Sequence, residues 1–406
     1  MNILLVNTLY APYNIGGAER SVQLLAEGLS GLGHRVIVAC TSPEEEMERR
    51  TVRGIPVCGI PLRNLYWPFD GEKQSFLKPF WHALDSYNPW MRAELGRLID
   101  AEAPDLIHTH NLGGFTVAVW EAASSRGIPL VHTTRDYSLL CPRNMFRNGE
   151  NCTSQCWTCR PFAFPRRRLS RHVDAFVGIS QFILDRHREF DYFPNARFRS
   201  VVYNPYPVPN DVSSFQSQSE NGGMKFGFLG RLSPRKGVER VLQTITKMKS
   251  HVEMYVGGVG REEYEEYLHS TYAEPDIHFL GFVDPSDFFA RIDVLIVPSV
   301  WHEPFGRVVI EAYAHGTPVI AACRGGLPEI VDEGETGLVF EPEKSGSLRS
   351  CVVHFLNNPQ EISQMRARVR ERALKFEVEP HVKKYESIYK KTYESFRPDQ
   401  NVNFSN

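Results

Sequence analysis

No stretch of this 406-residue chain approaches the roughly 18 consecutive apolar residues that a membrane span needs. The opening MNILLVNTLY has no cationic segment before its short apolar run, so it reads as a strand and not as a secretory signal. The expectation is a cytoplasmic protein. An excess of either charge is missing too. With 46 Lys and Arg against 48 Asp and Glu, the net −2 gives no overall pull toward nucleic acid or membrane, and no nucleic-acid partner is expected. There is no short-period repeat and no low-complexity tract. A complete G-x-G-x-x-G is absent as well: VGGVGREE supplies Gly258 and Gly260 but has Glu263 in place of the third glycine, which argues against a nicotinamide-dependent dehydrogenase.

What is present is a soluble-globular mixture, 42% hydrophobic and 23% charged, long enough for two domains. Short β-rich runs alternate with amphipathic, helix-length segments, the pattern of parallel sheets covered by helices. NILLVN, HRVIVAC, PDLIHTH, IPLVHTT and DAFVGIS mark the first half, with a helix after Gly17 closed by Gly28 and Gly31 to Gly33. After the polar stretch NDVSSFQSQSENGG the pattern restarts with KFGFLGRL, VEMYVGG, IHFLGFV, DVLIVPS and TPVIAAC. We therefore expect an α/β protein with a doubly wound domain over 1–204, a linker over 205–222 and a second such domain over 223–379, the two facing each other. A terminal helix at 380–396 carries a stripe of Tyr385, Ile388, Tyr389 and Tyr393 that packs on a domain surface. Ligands of such folds meet the carboxyl ends of the strands.

The segment EPFGRVVIE sets Glu303 in the loop after DVLIVPS and Glu311 on the following helix, which is expected from about Phe305 to His315. Six residues of helix span about 9 Å, and the uncovered amides around Gly306 make the helix start a place for phosphate. That geometry suits a sugar near Glu303 and a ribose near Glu311. Taken alone, this segment is more simply read as a solvated helix with an ordinary loop acid. GRLSPRKG places Arg231 and Lys236 in a turn after KFGFL, where they either pair with a diphosphate or form a solvated basic turn. GGAER sets Gly16 and Gly17 before a helix, allowing close backbone approach, and RGGLPEIV adds a second glycine pair at a strand end.

In this order, GRLSPRKG, HFLGFV, VLIVPSVWHEPFGRVVIEAYAHGTPVIA, RGGLPEIV and GETGLVF resemble the retaining glycosyltransferases of the GT4 family, also called glycosyl transferase group 1, whose fold is GT-B. The first half matches more thinly, through NIGGAER, PDLIHTHN and LVHTTRD. The resemblance implies that Glu303 contacts donor-sugar hydroxyls and that Phe305, Gly306 and Arg307 present backbone amides. It implies that Glu311 holds the ribose, that Arg231 and Lys236 neutralise the leaving diphosphate, and that Gly17 approaches it from the other domain. It assigns the family's active-site histidine to His132, placed in a loop after the strand IPLV, with His110 as a second candidate and His108 and His110 facing opposite ways. The donor is then a UDP or GDP sugar and the acceptor a saccharide or lipid-linked saccharide of an envelope pathway. No D-x-D triplet occurs, so transfer is expected without metal or other cofactor. A GT-B isomerase or hydrolase, or a non-catalytic nucleotide-sugar binder, would use the same donor clamp.

Two segments stand outside that pattern. NLYWPFDGEKQSFLKPFWHALDSYNPWM and RPFAFPRRRLSRH concentrate aromatics and arginines, either as packing and solvated surface or as an acceptor groove and a contact with an anionic membrane face. CPRNMFRNGENCTSQCWTC brings Cys141, Cys152, Cys156 and Cys159 into one loop, readable as a structural zinc site or as four free thiols.

Overall fold

The structure, a computed structural model, describes residues 1–13, 16–69, 75–209, 223–248 and 252–396. Most of the expected linker, residues 210–222, lies outside them. The chain divides into two compact units, one of Met1–Met145, Cys152–Pro205 and Val378–Asn406, the other of Phe146–Asn151 and Tyr206–Glu377.

The first unit contains, in order, β1 (Asn2–Val6), α1 (Gly17–Gly31), β2 (Arg35–Ser42), β3 (Glu48–Val52), β4 (Ile55–Pro61), α2 (Lys78–Ser86), α3 (Pro89–Glu102), β5 (Leu106–Thr109), α4 (Ala118–Ser124) and β6 (Leu130–Thr134). The chain then forms a small hairpin, β7 (Phe146–Arg147) and β8 (Glu150–Asn151), which belongs to the second unit although it falls inside 1–204. The first unit resumes with α5 (Arg160–Leu169), β9 (Ala175–Gly178), α6 (Gln181–Arg188) and β10 (Phe198–Val201). Its sheet runs β10-β9-β6-β5-β1-β2-β4-β3, with only the edge strand β3 antiparallel to its neighbour. The central strands are buried along their length, polar residues included, as in a parallel sheet covered on both faces.

The second unit contains β11 (Met224–Leu229), α7 (Val238–Thr246), β12 (Val252–Gly257), α8 (Glu262–Thr271), β13 (Ile277–Gly281), α9 (Pro285–Phe289), β14 (Val294–Val297), α10 (Arg307–Ala314), β15 (Val319–Ala322), β16 (Gly337–Phe340), α11 (Ser347–Asn357) and α12 (Pro359–Leu374). Its six-stranded parallel sheet is ordered β13-β12-β11-β14-β15-β16. Chain order reverses between β11 and β14 here and between β1 and β5 in the first unit. These are the switch points at which open α/β sheets form a ligand crevice beyond the strand ends.

The terminal helix α13 (Val378–Phe396) is part of the first unit and buries most of the expected stripe, with Tyr385 and Tyr389 fully enclosed and Tyr393 half-buried. Tyr389 Oη lies 2.6 Å from His108 Nδ1, and Tyr385 Oη lies 3.0 Å from Thr133 Oγ1. The close packing explains Gly28: a Cβ there would stand 2.4 Å from Val382 of α13. Gly28 therefore does not end α1, which continues to Gly31. Among the described residues no helix is long and apolar enough to cross a membrane.

Candidate active site

In the second unit the chemistry gathers at the β11/β14 switch point. The turn after β11 ends in a single 3-10 turn at Pro234–Lys236, and Arg235 O accepts hydrogen bonds from the amides of Val300 and Trp301, which ties this turn to the loop after β14. Lys236 Nζ thereby comes within 2.6 Å of Glu303 Oε1. Ser299 Oγ donates to the same oxygen at 2.7 Å. Glu303 is buried, and its Oε2 accepts no hydrogen bond among the described residues. Its backbone is held as well, since Gly326 N donates to Glu303 O at 2.7 Å. Gly325 makes this approach feasible, because a Cβ at that position would lie 2.1 Å from Glu303 O. A carboxylate so fixed, with one oxygen neutralised and the other unengaged, is a preorganised acceptor for a hydroxyl.

Helix α10 begins at Arg307, two residues later than the sequence suggested. Gly306 precedes it with φ 104°, a backbone that only glycine adopts readily, and a Cβ there would meet Leu327 at 2.4 Å. Phe305 is buried against Phe376 and anchors the loop. Glu311 Oε1 accepts from Arg307 Nε at 2.8 Å, and the same guanidinium lies over the Tyr206 ring. Burial and the nearby Glu311 push the Tyr206 hydroxyl up to about 12. Arg231, at the start of the turn that ends in Lys236, is exposed. The structure thus gathers Lys236 and Glu303 directly, with Arg231 and α10 on the same edge of one sheet.

The hairpin β7–β8 braces this loop. Asn151 Nδ2 donates to Val300 O at 2.7 Å, Asn151 Oδ1 accepts from His302 N at 2.8 Å, and the Arg235 guanidinium sits 5.2 Å from the Phe146 ring centre. Sequence reading gave this segment to the first domain and missed the role, because nothing local in MFRNGEN states which sheet it will join.

In the first unit Gly16 and Gly17 do open α1. Gly16 N donates to Glu19 Oε2 at 3.0 Å, and burial raises the Glu19 carboxyl above its ordinary range. Gly16 is extended, and a Cβ there would meet nothing nearer than Glu19 Oε2 at 3.7 Å, so packing alone does not demand glycine.

The placement of His132 in a loop is corrected. The strand does not stop at Val131: two β-branched threonines extend it, and His132 is the third residue of β6, paired with Thr109 and Phe176. Its ring stacks on Phe193, meets Trp120 edge-on and shares a hydrogen bond of 2.8 Å with Thr109 Oγ1. Burial holds it well below its ordinary pKa, so it is a neutral core residue. His108 and His110, two apart on one strand, lie on the same face with rings 3.9 Å apart, contrary to the expectation that they diverge. The groups at the strand ends are His110, just past β5, and Arg135, just past β6. Arg135 Nη1 donates to Asn204 Oδ1 at 2.7 Å, and Nη2 lies 3.3 Å from His110 Nδ1. His110 Nε2 is buried with no hydrogen-bond partner among the described residues. Arg135 was legible only through its position after the last residue of a strand whose end was misplaced.

The aromatic and basic segments split between packing and surface. Trp81 is buried and donates to Tyr66 O, and Arg166 is buried in an ion pair with Asp85 at 3.0 Å. Phe76, Phe80, Trp90, Phe164 and Trp157 are exposed, the last at 81%, alongside exposed Arg160, Arg167 and Arg168. A cavity of about 640 Å³ is lined by Lys78, His82, Arg143, Trp157 and Phe162.

Two Rossmann-like units of this topology are the architecture of the GT-B fold. The chain belongs to the GT4-like glycosyltransferases: residues 210–376 match the family described as Glycosyl transferases group 1, and residues 16–204 match the Glycosyl transferase 4-like domain. An uncharacterized 42.6 kDa protein in the cps region of Klebsiella pneumoniae is 32% identical over 81% of this chain and 87% of its own length. A D-inositol 3-phosphate glycosyltransferase of Corynebacterium efficiens is 29% identical over 58% of this chain and 59% of its own. Sucrose-phosphate synthase from Thermosynechococcus elongatus shares the fold with a TM-score of 0.77 at 18% identity, covering 97% of this chain and 99% of that one. Anabaena HepE, in complex with UDP-glucose, superposes with a TM-score of 0.70 at 21% identity over 96% of this chain and 100% of that one.

Proposed function

We propose that the protein transfers a sugar from a UDP or GDP sugar to a saccharide or lipid-linked saccharide of a polysaccharide pathway, with retention of anomeric configuration and without a catalytic metal. One observation carries the reading: Lys236 and Ser299 converge on Glu303 Oε1 at the switch point of the second sheet and leave Oε2 for a donor hydroxyl. Glu311 accepts the ribose on α10, and the start of that helix, with the backbone of Phe305, Gly306 and Arg307, faces the diphosphate. Arg231 and Lys236 neutralise the charge that develops as the sugar–phosphate bond breaks, which is where fixed cations lower the barrier most. Gly16 and Gly17 leave room for a phosphate or sugar against the first turn of α1, and the unpartnered His110 Nε2, with Arg135 beside it, supplies the polar contact first assigned to His132.

Two further features support the acceptor class. The Klebsiella relative is described by its place in a cps region, and the exposed aromatics and arginines around α5 suit a peripheral contact with an anionic membrane face, each cation adding about 1 kcal/mol near such a surface. The test is a panel of UDP, GDP and ADP sugars scored by thermal stabilisation, where a ligand at a hundred times its Kd adds about 2.7 kcal/mol. The stabilising sugar is then offered with saccharide and lipid-linked acceptors, with and without Mg²⁺ and Mn²⁺. An axial donor should give an axial product, unchanged by either ion; an inverted product or an absolute requirement for the ion would refute the mechanism. Release of free sugar, or its isomer, at full rate without acceptor would favour the hydrolase or isomerase.

A further inference from the structure

We infer that Cys141, Cys152, Cys156 and Cys159 form a tetrathiolate site for one structural Zn²⁺. The fold brings three of the four sulfurs together and sets Cys152 in the same loop. Cys141 Sγ lies 3.1 Å from Cys159 Sγ, and Cys156 Sγ lies 3.3 Å from Cys159 Sγ. The backbone around them is tightly turned: the amide of Arg143 donates to Cys141 Sγ at 3.3 Å, and the amides of Cys159 and Arg160 both donate to Cys156 O. Amide donation to sulfur two residues on stabilises a thiolate, which is the form that binds zinc. Cys152 enters the same loop through Cys152 N donating to Met145 O at 2.7 Å, and Arg186 Nη2 holds Cys152 O and Thr153 O at 2.7 and 2.9 Å.

Among the described residues no group of three or more metal-binding side chains is already spaced to hold an ion. The two measured sulfur contacts must open to about 3.8 Å, the edge of a tetrahedron with Zn–S of about 2.3 Å. Rotation about cysteine side-chain torsions, that of Cys152 included, is the movement required. Zn²⁺ displaces four thiol protons to solvent and leaves a centre of charge −2, with no change in oxidation state; Arg143 follows Cys141 by two residues, Arg160 follows Cys159, and Arg186 holds Cys152 O, while Glu150 lies two residues from Cys152. Cys141 and Cys152 flank the hairpin β7–β8 in sequence, so the ion would close the loop that carries it. All four ligand positions are filled by sulfur, which leaves no open site for catalysis.

The test uses the full chain purified without chelator. Elemental analysis should give about one zinc per chain, and a chelator should expose four additional titratable thiols that Zn²⁺ closes again. A Cys156→Ser, Cys159→Ser variant should fall to background metal, while Cys323→Ser, Cys351→Ser keeps it. Absence of metal from the wild type with thiols indifferent to chelator and to added Zn²⁺, a disulfide among the four in the wild type, or full occupancy in the first variant would each overturn the site. Because wild-type metal and thiol counts decide it, a variant that fails to fold leaves the answer intact, and neither readout depends on sugar transfer.

Discussion

Acidification should unfold the first unit through its buried histidines. His108, His110, His132, His187 and His381 are all enclosed, and burial is the first cause of their lowered pKa: His187 falls from 6.5 to about 4 and His381 to about 3, with the other three well below their ordinary value. Because the folded values lie under the unfolded ones, the unfolded chain takes up protons that the folded chain refuses. The stability is therefore present above pH 6.5 and is lost as pH falls toward the folded values. Between pH 7.5 and 5.5 His187 and His381 together cost about 3 kcal/mol, and His108, His110 and His132 act in the same direction. Asp85 acts in the opposite direction, since burial raises its carboxyl to about 6; over the same interval it returns about 1 kcal/mol. The net loss is a sizeable share of the stability of a domain. Guanidinium unfolding at pH 7.5, 6.5 and 5.5, followed by tryptophan fluorescence, should show a steep loss for the transition that reports Trp120, and His381→Asn should flatten it by about 1.4 kcal/mol. Equal or greater stability at pH 5.5 would refute the assignment of these rings as neutral core residues.

Lys236→Met leaves Glu303 buried beside only Ser299. Loss of one partner from a fully buried pair costs about 3–5 kcal/mol, and the part-exposed lysine lowers the expectation to about 1–2 kcal/mol in thermal unfolding. An unchanged transition would mean the pair is not held in solution. Gly325→Ala should cost about 1–3 kcal/mol and abolish donor stabilisation, because its Cβ would displace the Glu303 backbone; a wild-type donor response would remove Gly325 from the site. Tyr389→Phe should cost about 1–2 kcal/mol by leaving His108 Nδ1 unpaired, which equilibrium denaturation measures directly. His110→Ala should lower transfer about tenfold or more with donor affinity kept, whereas equal loss in His132→Gln at matched stability would restore the first assignment of the histidine.

The second unit was far more legible than the first. Its site is built from contiguous motifs at strand ends, so GRLSPRKG and EPFGRVVIE already carry Lys236, Glu303 and Glu311 in the right loops. In the first unit the decisive fact was where β6 ends. The difference between Val131 and Thr134 moves His132 from a loop into the core and brings Arg135 to the edge, and the apolar run IPLV gives no stop signal to choose between them. Gly28 misled for a related reason: its use is the close approach of α13, a contact between residues separated by most of the chain. The hairpin at Phe146–Asn151 joins the other unit through Asn151, whose partners Val300 and His302 are equally distant in sequence.

The most direct test of the donor site is calorimetric titration of the stabilising nucleotide sugar into wild type and Glu311→Ala. The account predicts that the variant keeps its fold and loses about 1.5–3 kcal/mol of binding, the worth of a charged acceptor for the ribose hydroxyls. Wild-type affinity in the folded variant would contradict the placement of the nucleotide on α10.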